Sequence, residues 1–266
     1  MKFIINIFQL LIRYSLSINN LGILNTVKIL YLRIFKKNAS SLISSSKFGK
    51  IYWRSKLDYG VIGHLFSRQV SLNTFGDTPK IIFDMGANIG IETLRFCKLF
   101  PNSKIIAVEP QKENFDILKM NTREKENVTI INKALWNKID KVSIYNYSDR
   151  NSQTFITEKN NERLDNISTT TINNLIKEYE IDKIDILKID IEGSEQRIFD
   201  KSADEWLKKV NVLIIECPDN DKIYSSINIY ESFLRNNLKF KTYINGENFV
   251  FVKEGCEWIP ENISLY

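Results

Sequence analysis

Residues 81–90 read IIFDMGANIG and decide the fold that we expect for this chain. The apolar run 81–83 predicts a short buried strand, and a turn containing Gly86 and Gly90 follows it directly. A helix is predicted from about Glu92, immediately after the turn. Both glycines tolerate positive φ, and without side chains they let a ligand lie against the backbone. This order of strand, glycine turn and helix predicts a ligand site at the carboxyl end of the strand.

The same alternation of strands and helices continues along the rest of the chain. Short apolar runs predict strands at 105–108, 128–132, 141–147, 184–189 and 212–215. Amphipathic segments predict helices at 92–99, at 114–125, from residue 194 and at 224–236. Two final strands, 240–243 and 248–252, are joined through Asn245-Gly246, which is a strong hairpin signal. This pattern predicts an α/β fold with a doubly wound, mostly parallel sheet.

Glu109 and the number of glycines in the turn together indicate which cofactor the site would bind. It ends the second predicted strand, where a carboxylate can accept hydrogen bonds from both hydroxyls of a ribose. A dinucleotide fingerprint needs G-x-G-x-x-G, but Asn88 and Ile91 stand at its second and third glycine positions. S-adenosylmethionine has no pyrophosphate and needs fewer glycines, so it fits the turn better than NAD does. A turn without any ligand would leave the acid at Glu109 unexplained.

A second group of charged residues lies in LKIDIEGSE, residues 187–195. Lys188, Asp190 and Glu192 alternate at the end of a strand that is otherwise apolar. Because side chains alternate along a strand, these three lie on one face, near the reactive end of a cofactor if the strand is central. Charges in such a place are costly unless they are paired or functional. We therefore expect either a site of chemistry or a Lys–Asp pair that closes the strand.

The first 50 residues differ in charge from the remainder and are predicted to form a basic, amphipathic helical segment before a domain at 51–266. Residues 1–60 carry ten Lys and Arg against one acid, Asp58. An amphipathic helix is predicted at 21–35 and a serine-rich loop at 40–46. Such a basic arm indicates an anionic partner or a solvated helix face, and we expect residues 1–38 to contact anionic membranes peripherally.

Composition narrows the class of protein. Hydrophobic residues make up 43% and charged residues 26%, which excludes a disordered or fibrous chain. Three cysteines without C-x-x-C spacing argue against a disulfide framework or a structural zinc site, and suit a reducing compartment. No uncharged apolar stretch is long enough for a membrane-spanning helix. A cytoplasmic protein, peripheral at most to the inner face of the membrane, is the expectation.

Several motifs together make the sequence resemble the FkbM family of S-adenosylmethionine-dependent methyltransferases. They are IIFDMGANIG (81–90), IIAVEP (105–110), NKAL (132–135), TTTINNL (169–175), LKIDIEGSE (187–195) and LIIE (213–216). The resemblance covers about residues 52–252. It implies a class I methyltransferase fold, a Rossmann-like sheet of seven strands whose last strand runs antiparallel. It also implies methylation of hydroxyls on sugars, glycans or related natural products.

The resemblance also implies roles for individual residues. Asp84, Gly86, Asn88 and Gly90 would hold the methionine part of the cofactor, Glu109 the ribose, and Ala134 and Leu135 would lie near the adenine. Lys188, Asp190 and Glu192 would face the transferred methyl group. The sequence departs from the family at Asn173, where an acid is usual, and at Ser202, where a glycine is usual. Both lie outside the expected cofactor pocket.

The expected reaction is an in-line displacement that aligns oxygen, methyl and sulfur. A hydroxyl is a weak nucleophile at neutral pH, so we expect Asp190 or Glu192 to act as general base, with Lys188 orienting or stabilising the developing alkoxide. A Mg²⁺ ion held by Asp190 and Glu192 is the less favoured variant, because no third ligand is evident. The acceptor is expected to be a small molecule or glycan, either lipid- or nucleotide-linked.

Three other functions remain open from the residues. A nucleic-acid methyltransferase would use the basic arm for phosphates, but the strand end Glu216-Cys217-Pro218-Asp219 lacks the N-P-P-Y or D-P-P-Y of amino-methylating enzymes. An NAD-dependent sugar-modifying enzyme lacks its glycines. A non-catalytic membrane-peripheral scaffold would leave Asp84, Glu109 and Asp190 without a purpose.

Overall fold

The structure is a computed structural model that describes eleven parts of the chain. They are residues 22–35, 40–45, 49–54, 58, 71–74, 78–146, 154–157, 166–191, 195–216, 225–245 and 248–261. Glu192, an expected site residue, lies outside these parts. Lys56 and His64 also lie outside them.

A seven-stranded sheet forms the centre of the molecule. Its strands are β4 (Ile81–Met85), β5 (Lys104–Val108), β6 (Val128–Ile131), β11 (Ile184–Ile189), β12 (Val210–Glu216), β13 (Phe240–Asn245) and β14 (Asn248–Lys253). Their order across the sheet is β13-β14-β12-β11-β4-β5-β6. Strands β4, β5, β6, β11 and β12 pair in parallel, whereas β14 is antiparallel to both of its neighbours. The expected class I methyltransferase fold, with an antiparallel last strand, is confirmed.

Helices cover the sheet, as parallel strands require. The helices of the described ranges that do so are α2 (Ile91–Leu99), α3 (Lys112–Thr122), α4 (Ile172–Glu178), α5 (Glu195–Ile198), α6 (Ala203–Trp206) and α7 (Ser225–Arg235). An earlier helix, α1 (Ile23–Phe35), contacts the strand Ser40–Ser45 instead. The larger core lies on the face that presents Phe83, Met85, Leu187 and Ile189. Phe96 and Cys97 of α2 pack on the opposite face, against Ile82 and Ile186. Because side chains alternate along β4, Asp84 points to the α2 side.

Among the strands of the described ranges, eight lie outside this sheet. They form the pair β1 (Ser40–Ser45) and β2 (Gly49–Arg54), the pair β3 (Ser71–Thr74) and β15 (Trp258–Glu261), and a four-stranded sheet of β7 (Ala134–Leu135), β8 (Lys141–Asn146), β9 (Thr154–Thr157) and β10 (Asn166–Thr170). The strand expected at 141–147 is therefore present as β8, but belongs to the smaller sheet.

Of two expectations for the amino-terminal segment, one is wrong and one is confirmed. The loop expected at 40–46 is wrong, because Ser40–Ser45 pairs with Gly49–Arg54 as an antiparallel hairpin. Pairing with β2 overrides the weak strand preference of serine. The helix expected at 21–35 is confirmed as α1, but Leu24, Val27 and Tyr31 on it are exposed. The division at residue 50 remains a prediction.

None of the helices in the described ranges has the length and apolar character needed to span a membrane.

Candidate active site

The turn between β4 and α2 has an unusual backbone. Gly86, Asn88 and Gly90 have φ values of 83°, 51° and 87°, in the left-handed region that favours glycine and asparagine. The backbone N–H groups of Gly86 and Ala87 both donate to the carbonyl of Val108, at 2.9 Å each. The turn is thereby held against the carboxyl end of β5, at the edge where ligands bind in open α/β sheets.

The packing of the chain itself requires glycine at position 86. A Cβ atom on Gly86 would lie 1.8 Å from the carbonyl oxygen of Asp190, which is a backbone atom that no side chain could displace. A Cβ atom on Gly90 would lie 2.6 Å from Cδ1 of Leu118, the end of a flexible side chain, so the φ of 87° is the stronger reason for glycine there. The sequence pattern predicts positive φ and ligand approach at these glycines, but not the contact with Asp190. The contact at Gly86 also brings the end of β11, with Asp190, directly against the turn.

Glu109 lies buried at the end of β5, 5% exposed, and is held by three N–H donors. The backbone N–H of Asn88 donates to Oε2 at 2.8 Å, and that of Gln111 donates to Oε1 at 3.0 Å. Asn114 Nδ2 adds a longer bond to Oε1, at 3.3 Å. Burial raises the pKa of Glu109 to about 7, opposed by these donors and reinforced by the charge of Asp190.

Lys188 stands between two carboxylates. Its Nζ lies 3.1 Å from Oδ2 of Asp190 and 3.8 Å from Oδ1 of Asp84. Lys188 pairs in register with Asp84 on the neighbouring strand, so both side chains point to the α2 side of the sheet. Burial alone would lower the pKa of Lys188, but the charges of Asp190, Asp84 and Glu92 outweigh it and raise the pKa above its usual value. Lys188 is therefore a permanent cation and cannot serve as a base.

Asp84 and Asp190 differ in access to solvent. Asp84 is completely buried, and Thr93 Oγ1 donates to its Oδ2 at 2.6 Å. Burial raises the pKa of Asp84, although Lys188 and Thr93 act in the opposite direction. The side chain of Asp190 is 24% exposed, while its backbone N–H donates to the carbonyl of Met85. Of the two, Asp190 is the carboxylate that a substrate can reach.

The residues around the turn fit the charge pattern of S-adenosylmethionine. Oε1 of Glu92 is buried and accepts no hydrogen bond from the described part of the chain, whereas Oδ1 of Asp84, which also accepts none, has the ammonium of Lys188 at 3.8 Å. Unsatisfied buried acceptors favour a cationic group, and the cofactor carries a sulfonium and an ammonium. Helix α2 begins without a side-chain cap, so its first N–H groups can donate hydrogen bonds to the cofactor's carboxylate.

Ala134 and Leu135 form the short strand β7, which pairs in parallel with β10. Both are buried, at 0% and 1% exposure. Leu135 belongs to the main core, whereas Ala134 packs with Trp136 and Val142 of the smaller sheet. Just before them, Asn132 Nδ2 donates to the carbonyls of Glu109 and Pro110, at 2.9 and 3.0 Å. Asn132 thus joins this segment to the end of β5.

Sequence reasoning missed three polar residues that hold the site. Thr93 binds Asp84, Asn114 binds Glu109, and Asn121 Nδ2 donates to the carbonyl of Ile89 in the turn at 2.7 Å. All three lie on helices that also carry polar residues on their exposed faces. The sequence pattern therefore does not distinguish these buried polar residues from exposed ones. Within the ranges that the structure describes, no group of three His, Cys, Asp or Glu side chains is arranged to hold a metal ion.

Known proteins with similar sequences are methyltransferases. The chain is 22% identical over 210 residues to Methyltransferase 1 of Beauveria bassiana (strain ARSEF 2860), a match covering 70% of this chain and 79% of the relative. It is 20% identical over 218 residues to Methyltransferase sdnD of Sordaria araneosa, covering 69% and 79%. The crystal structure of Aeropyrum pernix fibrillarin with bound S-adenosyl-L-methionine aligns with a TM-score of 0.40 and 12% identity, over 66% of each chain.

The family model of the methyltransferase FkbM domain matches residues 84–241, which is more than half of the chain. The match begins at the aspartate before the glycine turn and extends into β13, so it includes the turn, Glu109, Lys188 and Asp190. The chain belongs to the FkbM family of S-adenosylmethionine-dependent methyltransferases.

Proposed function

We propose that this enzyme transfers a methyl group to a hydroxyl of a sugar, glycan or related natural product. The carboxylate of Asp190 carries the proposal, because it is partly exposed, has the cation of Lys188 beside it and belongs to a residue whose backbone lies against the glycine turn. S-adenosylmethionine supplies an electrophilic methyl group whose C–S bond breaks with the electron pair going to sulfur. The protein's task is to place a hydroxyl oxygen in line with that bond and to remove its proton.

Asp190 is the proposed general base. It takes the hydroxyl proton as the oxygen–carbon bond forms, so no free alkoxide has to build up. Lys188, 3.1 Å away, orients the carboxylate of Asp190 and stabilises negative charge that develops on the acceptor oxygen. Glu192 is retained as the alternative base on sequence grounds, because it follows Asp190 by two residues.

The proposed cofactor contacts follow the edge of the sheet. Glu109 accepts the ribose hydroxyls, and the turn Gly86–Gly90 with the start of α2 holds the methionine part. Asp84 is fully buried, so its contribution is assigned through Lys188 and Thr93 rather than by direct contact. Ala134 and Leu135 are assigned to the neighbourhood of the adenine, where their small or apolar side chains would suit a flat base.

A panel of acceptors tests the chemistry. The purified chain would be incubated with methyl-labelled S-adenosylmethionine and with sugars, nucleotide sugars and lipid-linked glycans. For each active compound, a matched deoxy analogue that lacks one hydroxyl would be compared. We expect label transfer that disappears with a single deoxy analogue. Transfer to an amine or to nucleic acid, with no hydroxyl acceptor active, would contradict the proposal.

We also propose that the amino-terminal segment contacts anionic membranes, where a lipid-linked acceptor would be found. Support comes from α1, on which Ile23, Leu24 and Val27 are 64%, 86% and 57% exposed. The basic residues of the segment would add attraction to anionic lipid. Co-sedimentation of the full chain with phosphatidylserine vesicles should fall when Leu24 and Val27 are both changed to Glu. The same double change at Ile227 and Leu234 on α7 is the control, and equal losses would contradict membrane contact through α1.

A further inference from the structure

The hairpin that precedes the main sheet packs against the cofactor side of the molecule. Strand β2 contacts helix α3, and its side chains Ile51 and Trp53 are fully buried. Helix α3 is the element that follows Glu109 in the chain. Strand β2 is remote from Glu109 in sequence, but it therefore lies next to the helix that carries Asn114, one of the hydrogen-bond donors to Glu109.

Asn121 of α3 joins this strand to the glycine turn. Its Oδ1 accepts from the backbone N–H of Tyr52 at 2.6 Å, and its Nδ2 donates to the carbonyl of Tyr52 at 3.1 Å. The same Nδ2 also donates to the carbonyl of Ile89, at 2.7 Å. The side chain of Asn121 thus satisfies both backbone groups of Tyr52 and fixes β2 relative to the turn.

Arg54, the last residue of β2, binds the side chains of Asp58 and Asn114, and Asn114 in turn contacts Glu109. Its guanidinium binds Asp58 with Nη2 to Oδ1 at 2.6 Å and Nε to Oδ2 at 3.0 Å. Asp58 is only 2% exposed and also accepts the backbone N–H of Arg54. From this fixed position, Nη2 donates to Oδ1 of Asn114 at 2.5 Å. Asn114 is itself buried, at 3% exposure.

The contact with Arg54 determines which way the amide of Asn114 faces. A guanidinium can only donate hydrogen bonds, so the oxygen of Asn114 must face Arg54. The amide nitrogen must then face the other side, where it donates to Oε1 of Glu109 and to Oε1 of Gln111, at 3.3 and 2.9 Å. If the amide turned over, its oxygen would oppose the carboxylate of Glu109.

We propose that Arg54 is a positioning residue for the cofactor site, which holds Glu109 ready for the ribose through Asn114. Arg54 contacts neither cofactor nor acceptor in this assignment. Its guanidinium is committed to Asp58 and Asn114. The inference rests on the proposed role of Glu109 as the ribose ligand.

Binding of S-adenosylhomocysteine, measured by calorimetry at pH 8, tests this relay. Arg54→Leu should weaken binding about fivefold, the effect of losing one oriented hydrogen bond. Asn114→Leu should do the same while leaving the pair of Arg54 with buried Asp58 intact, which guards against loss of folding in the first variant. Arg123→Met is the matched control. Arg123 is half exposed, and its guanidinium lies over the ring of Tyr52, which belongs to β2 as Arg54 does.

A double-mutant cycle separates positioning from general support. In a Glu109→Ala background, Arg54→Leu should change affinity by less than about twofold, because the group that it positions is gone. Equal losses from Arg54→Leu with and without Glu109 would overturn the relay, as would wild-type affinity in both Arg54→Leu and Asn114→Leu. If Glu109→Ala binds as wild type does, the ribose role fails and the relay fails with it. If the Arg54 variants contradict the relay while Glu109→Ala still weakens binding, only the role of Arg54 is wrong and the proposed function is unaffected.

Discussion

Asp185 and Asp190 lie at opposite ends of β11, and their carboxylates are used in opposite ways. Asp185 accepts the backbone N–H groups of Lys80 and Ile81, at 2.8 and 3.1 Å, and the side-chain amide of Asn211 at 3.3 Å. Asp190 accepts Lys188 at one oxygen and is 24% exposed. The amino end of the strand is closed by the chain's own hydrogen bonds, whereas the carboxyl end keeps a carboxylate available.

This contrast indicates where chemistry takes place in a sheet built from similar strands. Both aspartates follow or interrupt apolar runs, so their residue type does not distinguish them. Their surroundings do, because two backbone N–H groups, the amide of Asn211 and the ammonium of Lys183 all contact the carboxylate of Asp185. The carboxylate of Asp190 contacts Lys188 alone among the described residues and is more exposed. Substitutions at the two ends should therefore separate activity from stability.

The largest expected effect is on turnover in Asp190→Asn. An amide cannot take the acceptor's proton, so kcat should fall by about 10² to 10⁴. Affinity for S-adenosylhomocysteine should change little, since Asp190 is assigned to the acceptor side. Steady-state rates with the acceptor found in the panel give kcat, and calorimetry gives the affinity. A variant with wild-type kcat would move the role of base to Glu192.

A smaller but substantial effect is expected on the stability of the turn in Gly86→Ala. The added Cβ would lie 1.8 Å from the Asp190 carbonyl oxygen, so the turn and β11 must separate, at a cost of roughly 3 kcal/mol or more. Gly255→Ala is the matched control, because Gly255 has φ +84° but no atom within 4 Å of its Cβ position. Chemical denaturation should show the greater loss at Gly86, and equal losses would mean that backbone strain alone accounts for both.

At the closed end of β11, Asp185→Asn should lower stability and leave kcat unchanged. The new amide can accept at one oxygen only, so at least one donor among Lys80, Ile81 and Asn211 loses its partner. We expect a loss of about 1–3 kcal/mol in the free energy of unfolding. Denaturation and steady-state kinetics on the same preparation would check this, and a kcat loss like that of Asp190→Asn would remove the distinction between the two ends.

The smallest effect expected is a pH dependence of cofactor affinity. Burial raises the pKa of Glu109 to about 7, and the ionised form is the one that accepts ribose hydroxyls. Affinity for S-adenosylhomocysteine should therefore rise about tenfold from pH 6 to pH 8. Stability of the free chain changes in the opposite sense: the native state holds this proton more tightly than the unfolded state, so its contribution is present below pH 4.5 and is lost as pH rises through 7.

Calorimetry across this pH range checks the affinity. His64→Gln is the control, because His64 is the chain's only histidine and an imidazole is the side chain that ordinarily changes charge between pH 5 and 8. A flat profile in the wild type would mean that Glu109 does not bind the ribose as an anion.

Much of the sheet could be predicted from the sequence, because buried parallel strands are short apolar runs. The common face of Lys188 and Asp190 also followed from alternation along a strand, and their contact at 3.1 Å confirms it. Strand β1 could not be predicted, since serine has no strand preference and only pairing with β2 orders it. The contact between Arg54 and Asn114 was equally inaccessible, because the two residues are 60 positions apart in sequence.

The glycine turn was correctly located but only partly explained. Sequence patterns predict that Gly86 needs to be glycine, yet they do not reveal that the Asp190 carbonyl is the atom that excludes a side chain. That fact depends on β11 lying next to β4, which is a property of the strand order.

The most direct test of the carboxyl-end site is a calorimetric titration of the full chain with S-adenosylhomocysteine, for the wild type, Glu109→Ala and Asp190→Asn. We predict binding by the wild type, at least about fiftyfold weaker binding by Glu109→Ala, and nearly unchanged binding by Asp190→Asn. Wild-type affinity in Glu109→Ala, or no binding by the wild type, would contradict the placement of the cofactor at this edge of the sheet.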